Sequence, residues 1–205
     1  MHKNILLKVE YLGTRYFGFQ LQDKIGKREI SVQQVIERAL RRLFRQKVRI
    51  TYSSRTDRGV HAYGQVVNFK TDKKIPLKNI KSGLNAFLPD DIRVKSARFA
   101  PFNFHARFSA KSKIYRYVIL NKKEPTVFRQ NLSWHIAKPL DCNTMQKIAV
   151  KIIGKKDFSL FAKEANSYKD CIREIKAIAI KKRGSFVYVD IEASGFLRNM
   201  ARNIV

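Results

Sequence analysis

Acidic residues are scarce in this chain of 205 residues, which has 16 Asp plus Glu against 43 Lys plus Arg and a formal net charge of +27. An excess of this size predicts a polyanionic partner, with nucleic acid as the first candidate and an anionic membrane surface as the second. A general lysine bias of the source proteome is the alternative explanation. Hydrophobic residues make up 44% of the chain, which is enough for real cores and excludes a disordered tail.

Metal ligands and disulfide partners are also few. The two cysteines, Cys142 and Cys171, lie far apart and form no Cys-x-x-Cys pair, and the four histidines show no metal-ligand spacing. We therefore expect neither a zinc site nor a disulfide framework. No apolar run is long enough to span a bilayer, and the N-terminus shows no signal-peptide pattern. The chain is therefore expected to be a metal-free, soluble cytoplasmic protein, and of the two candidate partners we expect nucleic acid and no membrane.

The spacing of apolar residues in the first half predicts the element order β-α-β-β-α-β. Alternation from Ile5 to Tyr11 is typical of a strand, and Ser31-x-x-Gln34 is a capping-box pattern that begins a helix. The remaining predicted elements are strands over 48–52, 67–69 and 92–99 and a helix over 77–88 that ends before Pro89. This order is the split βαβ, ferredoxin-like arrangement.

The second half repeats the pattern in part. Its predicted elements are strands over 113–120 and 133–136, a helix capped by Asp141 or Asn143 and ended by Gly154, a hairpin over 172–191 and a helix from Phe196. The chain stops at Val205 inside the apolar stripe of that helix, so we expect a partial protein that lacks at least one further strand. The predicted fold class is α+β, an α/β sandwich with domains over residues 1–102 and 103–205, the second incomplete.

One octapeptide, Arg55-Thr56-Asp57-Arg58-Gly59-Val60-His61-Ala62, joins two neighbouring strands of the first predicted sheet. It places one carboxylate between two guanidinium groups, which stabilise its charged form. An ionised Asp on a short turn is a candidate nucleophile or base. Thr, Asp and Gly are also ordinary turn residues, so a plain polar loop explains these eight residues as well.

Two further segments of the first half carry side chains suited to RNA. The segment from Tyr11 to Gln22 contains Arg15, Tyr16 and Gln20, which are able to contact a phosphate, stack on a base and read a base edge. The segment Phe104 to Ala110 places His105 and Arg107 beside aromatic residues. Aromatic side chains that pack into the core, or a linker that buries its Phe residues, are the structural alternatives.

Two segments of the second half have the same character. On the strand Lys113 to Tyr117, Arg116 alternates with Tyr115 and Tyr117, which share one face. An ordinary core face explains at least one of these tyrosines. On the last predicted helix, Arg198 and Arg202 lie four residues apart on one face. They either form a solvated basic face, or one of them pairs with Asp57 and the other binds phosphate.

Together and in this order, these segments resemble the TruA family of tRNA pseudouridine synthases. The octapeptide, extended by Gly64-Gln65-Val66, is similar to the catalytic motif of that family. Further matches are Ser31-Val32-Gln33, Leu84-Asn85 and Leu88-Pro89. The resemblance implies isomerisation of uridine to pseudouridine in the anticodon arm of tRNA, at tRNA nucleotides 38 to 40. It also implies a homodimer without cofactor or metal, built on two ferredoxin-like halves whose mainly antiparallel sheets join into one.

The resemblance also implies roles for single residues. Asp57 matches the catalytic aspartate, Arg55 the arginine that helps to displace the target base, Tyr115 the aromatic residue against the flipped base, and Arg202 the ion-pair partner of the aspartate. The remaining implied RNA contacts are Arg15, Tyr16, Gln20, Arg58, His61, His105, Arg107, Arg116 and Arg198. Arg58 stands where small residues are frequent in the family, so it adds a phosphate contact or alters the ionisation of Asp57.

Two other functional classes remain open from the residues: an RNA-binding protein without catalysis, and an assembly protein supported only by charge. A metal-dependent nuclease is disfavoured, because the octapeptide offers a single carboxylate.

Overall fold

The computed structural model describes residues 2–22 and 29–205, and the chain divides into two compact units, Met1–Ala110 and Lys111–Val205. The segment after Ala100 stays with the first unit because two buried Asn side chains hold it. The Asn4 amide donates to the carbonyl oxygens of Pro101 and Phe104 at 2.9 Å each, and the Ala106 N–H donates to Asn68 Oδ1 at 2.8 Å.

The first unit has the predicted order β-α-β-β-α-β. Its elements are β1 (Lys3–Tyr11), α1 (Val32–Phe44), β2 (Thr51–Tyr52), β3 (Ala62–Thr71), α2 (Leu77–Phe87) and β4 (Ile92–Ala100). The four strands form one sheet in the order β2-β3-β1-β4, with antiparallel neighbours. This is the ferredoxin-like topology, so the prediction for the first half is confirmed.

Local chemistry explains the helix start and the shortest strand. The Ser31 hydroxyl accepts the Gln34 N–H at 3.2 Å and caps α1, as predicted. The second strand is shorter than predicted, because only Thr51 and Tyr52 pair with β3. Val48 and Ile50 are buried in the core but do not pair with a neighbouring strand among the described residues. Their alternation therefore reflects burial of the side chains and not a longer strand.

The second unit has an antiparallel sheet with one parallel edge. Its elements are β5 (Lys113–Asn121), β6 (Trp134–Ile136), α3 (Cys142–Val150), β7 (Gly154–Asp157), β8 (Ile172–Arg183), β9 (Phe186–Ala193) and α4 (Met200–Ile204). The strand order is β6-β5-β9-β8-β7, and only the β5–β6 pair is parallel. The predicted α+β class is confirmed, and the joining of the two sheets into one stays a prediction.

Two predicted boundaries in the second unit are wrong. Gly154 does not end a helix: α3 ends at Val150, and Gly154 begins β7 with a φ of +102° that favours glycine. The last helix begins at Met200 rather than Phe196, because Asn199 adopts the left-handed conformation with a φ of 61°. Arg198 therefore lies before the helix and does not share a helix face with Arg202.

No helix among residues 2–22 and 29–205 combines the length and the apolar character needed to cross a bilayer.

Candidate active site

Asp57 lies on a tight turn in the loop between β2 and β3. The Val60 N–H donates to the Asp57 carbonyl oxygen at 3.2 Å and closes the turn. Gly59 has a φ of +78° at the third position of this turn, where a positive φ favours glycine. The side chains of Asp57, Arg55 and Arg58 are all exposed there. The turn therefore presents the carboxylate to solvent instead of burying it.

The middle of this loop is anchored through Thr56. The Thr56 hydroxyl bonds to the Tyr11 hydroxyl at 2.8 Å, and the Thr56 carbonyl accepts the Phe19 N–H at 3.0 Å. A Cβ on Gly18, which has a φ of +77°, would lie 2.9 Å from the same carbonyl oxygen. The residue before Asp57 is thus held by the segment that follows β1.

The end of the loop is anchored through His61. The Gly13 N–H donates to His61 Nδ1 at 2.9 Å. A Cβ on Gly13 would lie only 2.0 Å from the Val60 carbonyl oxygen, so the two backbones are in direct contact. Because Nδ1 accepts this hydrogen bond, the neutral imidazole carries its proton on Nε2. His61 holds the loop in place, and its contact with RNA stays a prediction.

The start of the loop is anchored through Gln65, which is buried on β3. Its amide accepts from the Ser53 hydroxyl and donates to the Ser54 carbonyl oxygen, each at 2.6 Å. Both backbone ends of the Asp57 loop are therefore tied to the first sheet. Such preorganisation is what a group that must meet a reacting atom requires.

The two arginines beside Asp57 have different surroundings. The Arg58 guanidinium lies over the Phe17 ring, 5.0 Å from its centroid. The exposed Arg55 side chain extends from the loop one residue before Thr56. Among the described residues of the first unit, no cation lies within ion-pair distance of the Asp57 carboxylate. The loop thus leaves both Asp57 and Arg55 accessible to a substrate.

Three predicted RNA contacts precede α1, and one of them belongs to the core instead. Tyr16 is 6% exposed, and its hydroxyl donates to Asp91. Burial and this bond raise the pKa of the Tyr16 hydroxyl. A ring buried in this way offers no face for stacking on a base. Arg15 is exposed, with its guanidinium 3.8 Å from Asp91, and Gln20 is half-buried.

His105 and Arg107 come together around an exposed phenylalanine. The His105 and Phe108 rings lie 4.5 Å apart, and the Arg107 guanidinium is 5.7 Å from the Phe108 centroid. His105 Nδ1 accepts the Arg107 N–H at 3.2 Å, which fixes the bend between them. These two residues flank Ala106, whose N–H donates to Asn68 on β3, so they lie beside the far half of that strand and away from the Asp57 turn.

In the second unit, Tyr115 and Arg116 lie on β5. The Tyr115 ring packs edge-on against Phe196, with centroids 4.7 Å apart. Arg116 forms a two-pronged ion pair with Asp190 on β9, both distances being 2.6 Å. Hydrogen bonding from Arg116 lowers the pKa of Asp190. The guanidinium of Arg116 therefore has an intramolecular partner, and its predicted contact with RNA stays a prediction.

Arg198 and Arg202 also differ. The Arg198 guanidinium binds the Glu164 carboxylate at 2.7 and 2.8 Å, which makes it part of the second unit's own structure. Arg202 is exposed on α4. Within residues 111–205, Arg202 has no ion-pair partner. A pairing of Arg202 with Asp57 stays a prediction.

Sequence patterns did not identify Tyr11, Gly13 and Phe17 as residues that contact the Asp57 loop, because they predicted only RNA contacts for the segment from Tyr11 to Gln22. Gln65 was included only as an extension of the motif. The one available signal was the density of glycine and aromatic residues after β1, since Gly13 and Gly18 both approach the loop backbone.

Among the described residues, no group of three His, Cys, Asp or Glu side chains is placed to hold a metal ion.

A family model described as tRNA pseudouridine synthase matches residues 8–109 and 148–205. These ranges include the Asp57 loop, the residues that anchor it and Arg202, whereas Tyr115 and Arg116 lie outside them.

Three relatives match nearly the whole chain. A tRNA pseudouridine synthase A of Thermoanaerobacter sp. (strain X514) is 43% identical over 203 residues, which are 99% of this chain and 82% of that protein. A tRNA pseudouridine synthase A 2 of Clostridium perfringens is 41% identical over 203 residues, with the same two coverages of 99% and 82%. A tRNA pseudouridine synthase A of Halalkalibacterium halodurans is 41% identical over 204 residues, covering 99% of this chain and 76% of that protein.

Proposed function

This chain belongs to the tRNA pseudouridine synthase family, and on that premise we propose that it isomerises uridine to pseudouridine in the anticodon arm of tRNA, with Asp57 as the catalytic carboxylate. The observation that carries the proposal is the exposed Asp57 turn, anchored at Ser53, Thr56 and His61 and placed within the matched residues. A fixed, accessible carboxylate is the group that the reaction needs.

The reaction rearranges atoms without adding any. The N1–C1′ bond of uridine breaks, the base turns, and a C5–C1′ bond forms. The C5 proton leaves to solvent and N1 gains a proton, so the substrate and the product have the same composition. The chemistry therefore requires neither an electron carrier nor a group donor. Asp57 acts either as the nucleophile or as the base that removes a sugar proton.

The base must first leave its stack, which costs a few kcal/mol. The family resemblance gives Arg55 the role of displacing the base and offsetting that cost, and the exposure of this side chain two residues before Asp57 supports it. Tyr115 supplies an aromatic face for the extruded base, and Arg202 supplies a counter-ion for Asp57. Both of these roles come from the family resemblance. The same resemblance supports a homodimer that acts in the cytoplasm on tRNA nucleotides 38 to 40.

Tritium release from tRNA transcribed with [5-³H]uridine tests this function directly. The chain should release tritium, and Asp57→Ala and Asp57→Asn should each lower the rate by about 10³-fold or more, while the Kd for tRNA stays within a factor of about three. Asp72→Ala is the matched control, because Asp72 is an exposed aspartate just beyond β3, and it should leave the rate unchanged.

Two results would contradict the proposal. Full release from Asp57→Ala would show that another group performs the chemistry. Tight tRNA binding without release from the unaltered chain would instead support an RNA-binding protein without catalysis. Sequencing of the modified tRNA then locates the product, which we expect at nucleotides 38 to 40.

A further inference from the structure

Three phenylalanines near the end of the first unit are exposed, each with a cation beside its ring. Phe99, Phe102 and Phe108 expose 52%, 60% and 76% of their surface. Lys3 Nζ lies 5.1 Å from the Phe99 centroid, Lys70 Nζ 3.7 Å from that of Phe102, and the Arg107 guanidinium 5.7 Å from that of Phe108. Single exposed apolar residues are ordinary, but three within ten residues form a patch that needs an explanation. We call these three residues the aromatic strip.

The strip lies along two open cavities that share Phe102 as a wall. The first cavity, of about 310 Å³, is lined by Lys3 and Phe99, and the second, of about 380 Å³, by Arg49, Lys70 and His105. Since the His105 ring lies 4.5 Å from that of Phe108, the strip continues past the second cavity. Neither lining contains a carboxylate.

The cations beside the strip outnumber the carboxylates that pair with them. The Glu37 carboxylate pairs with Arg49 at 2.9 Å and offsets that one cation. The ammonium groups of Lys3 and Lys70 and the guanidinium of Arg107 face rings instead of carboxylates. A surface of exposed rings and unbalanced cations suits a ligand with flat aromatic groups and negative charge.

The strip and the Asp57 loop lie at opposite ends of the first sheet. Ala62 follows the loop at one end of β3, and Lys70 lies eight residues further along the same strand. At about 3.3 Å per residue the two ends are about 26 Å apart. A nucleotide bound at the strip is therefore a different nucleotide from one that meets Asp57 of the same protomer.

We propose that the aromatic strip binds unpaired RNA nucleotides, whose bases stack on Phe99, Phe102 and Phe108 while the adjacent cations contact the backbone phosphates. Base stacking on exposed rings next to cations is the usual way in which proteins hold single-stranded RNA without reading its sequence. A protein partner fits less well, because lysine is depleted at the centres of protein interfaces. The proposal rests on the proposed function only in taking RNA as the ligand.

Phe102→Leu and Phe108→Leu test the strip, because leucine keeps an apolar side chain but removes the ring. Fluorescence anisotropy with labelled tRNA should show that each variant raises the Kd about fivefold or more, and Phe102→Trp should restore the affinity. Phe128→Leu is the matched control, since Phe128 is 88% exposed in the second unit and has no cation over its ring among the described residues. It should bind tRNA as the unaltered chain does.

Two outcomes would overturn the inference. One is an unchanged Kd in both strip variants. The other is a changed oligomeric state of these variants in sedimentation velocity, which would assign the strip to contact between copies of the chain. The Kd and the tritium release are separate measurements, so these results are distinguishable from those for Asp57: loss of tritium release alone does not contradict the strip proposal, and an unchanged Kd does not contradict the proposed catalysis.

Discussion

Gly13 lies so close to the Asp57 loop that it has no room for a side chain. Its N–H donates to His61, and a Cβ would be 2.0 Å from the Val60 carbonyl oxygen. Backbone atoms cannot move aside as the end of a flexible side chain can. A methyl group at this position must therefore displace the 3-10 turn of Gly13–Arg15, the loop, or both.

Gly13→Ala should lower both stability and activity. We expect a loss of about 1–3 kcal/mol in the free energy of unfolding, typical of overpacking, and a fall in tritium release of about 10²-fold if the loop moves by about 1 Å. Urea denaturation and the release assay measure the two effects. Gly195→Ala is the control, because the nearest atoms to a Cβ there are 3.7 and 3.8 Å away. Equal behaviour of the two variants would show that the Gly13 contact does not position the loop.

Within the second sheet, the register of β5 and β9 brings Arg116 opposite Asp190. Two hydrogen bonds of 2.6 Å join the guanidinium to the carboxylate. The Arg116 guanidinium also lies over the Tyr188 ring, 5.4 Å from its centroid. Because opposite charges directly across from each other attract, this pair stabilises the observed register of β5 and β9.

Asp190→Asn should lower the stability of the chain by about 1 kcal/mol at neutral pH. Hydrogen bonding from Arg116 lowers the folded-state pKa of Asp190 below its ordinary value of 3.8. The stabilisation by this pair is therefore fully present above pH 3.8, and it is lost as the pH falls through the folded-state pKa. The difference between the two proteins in urea denaturation should therefore vanish in the acid range. Asp170→Asn, which removes the more exposed carboxylate that pairs with Arg173, should have a smaller effect at neutral pH. A difference that did not shrink as the pH fell below 3.8 would rule out this origin.

For the chain as a whole, the 43 Lys and Arg residues exceed the 16 Asp and Glu residues, which leaves a formal net charge of +27. Ion pairs at Glu37, Glu164 and Asp190 each engage one arginine, so most cations remain for an external partner. Phosphate contacts release counterions when they form, which makes binding depend on salt.

The Kd for tRNA should therefore rise steeply with salt. Neutralisation of six to ten phosphates corresponds to a loss of about 10³ to 10⁵ in affinity between 50 and 200 mM salt. Anisotropy titrations with KCl measure the slope, and sucrose at matched osmolality should leave the Kd unchanged. A slope near zero would contradict binding through the backbone of the RNA.

Several features follow from neighbours along the chain and were predictable from it. The β-α-β-β-α-β order of the first unit follows from apolar spacing, the start of α1 from Ser31, and the candidate Asp57 from its motif. The hairpin through Gly184 follows in the same way, since its φ of +55° suits glycine. The elements depend on periods of two or 3.6 residues, or on caps and turns that act within a few residues, whereas the assignment of Asp57 depends on the family resemblance of its motif and stays a prediction.

Contacts between distant parts of the chain were not predictable in this way. Tyr16 meets Asp91 across 75 residues, Gly13 meets His61 across 48, and Arg198 meets Glu164 across 34. The first contact buries Tyr16 in the core, the second gives His61 a part in holding the Asp57 loop, and the third pairs Arg198 with a carboxylate. The sequence alone thus determined which residues are candidates for the chemistry, and only the tertiary structure established which of them are exposed, because burial and pairing depend on segments that lie far apart in the chain.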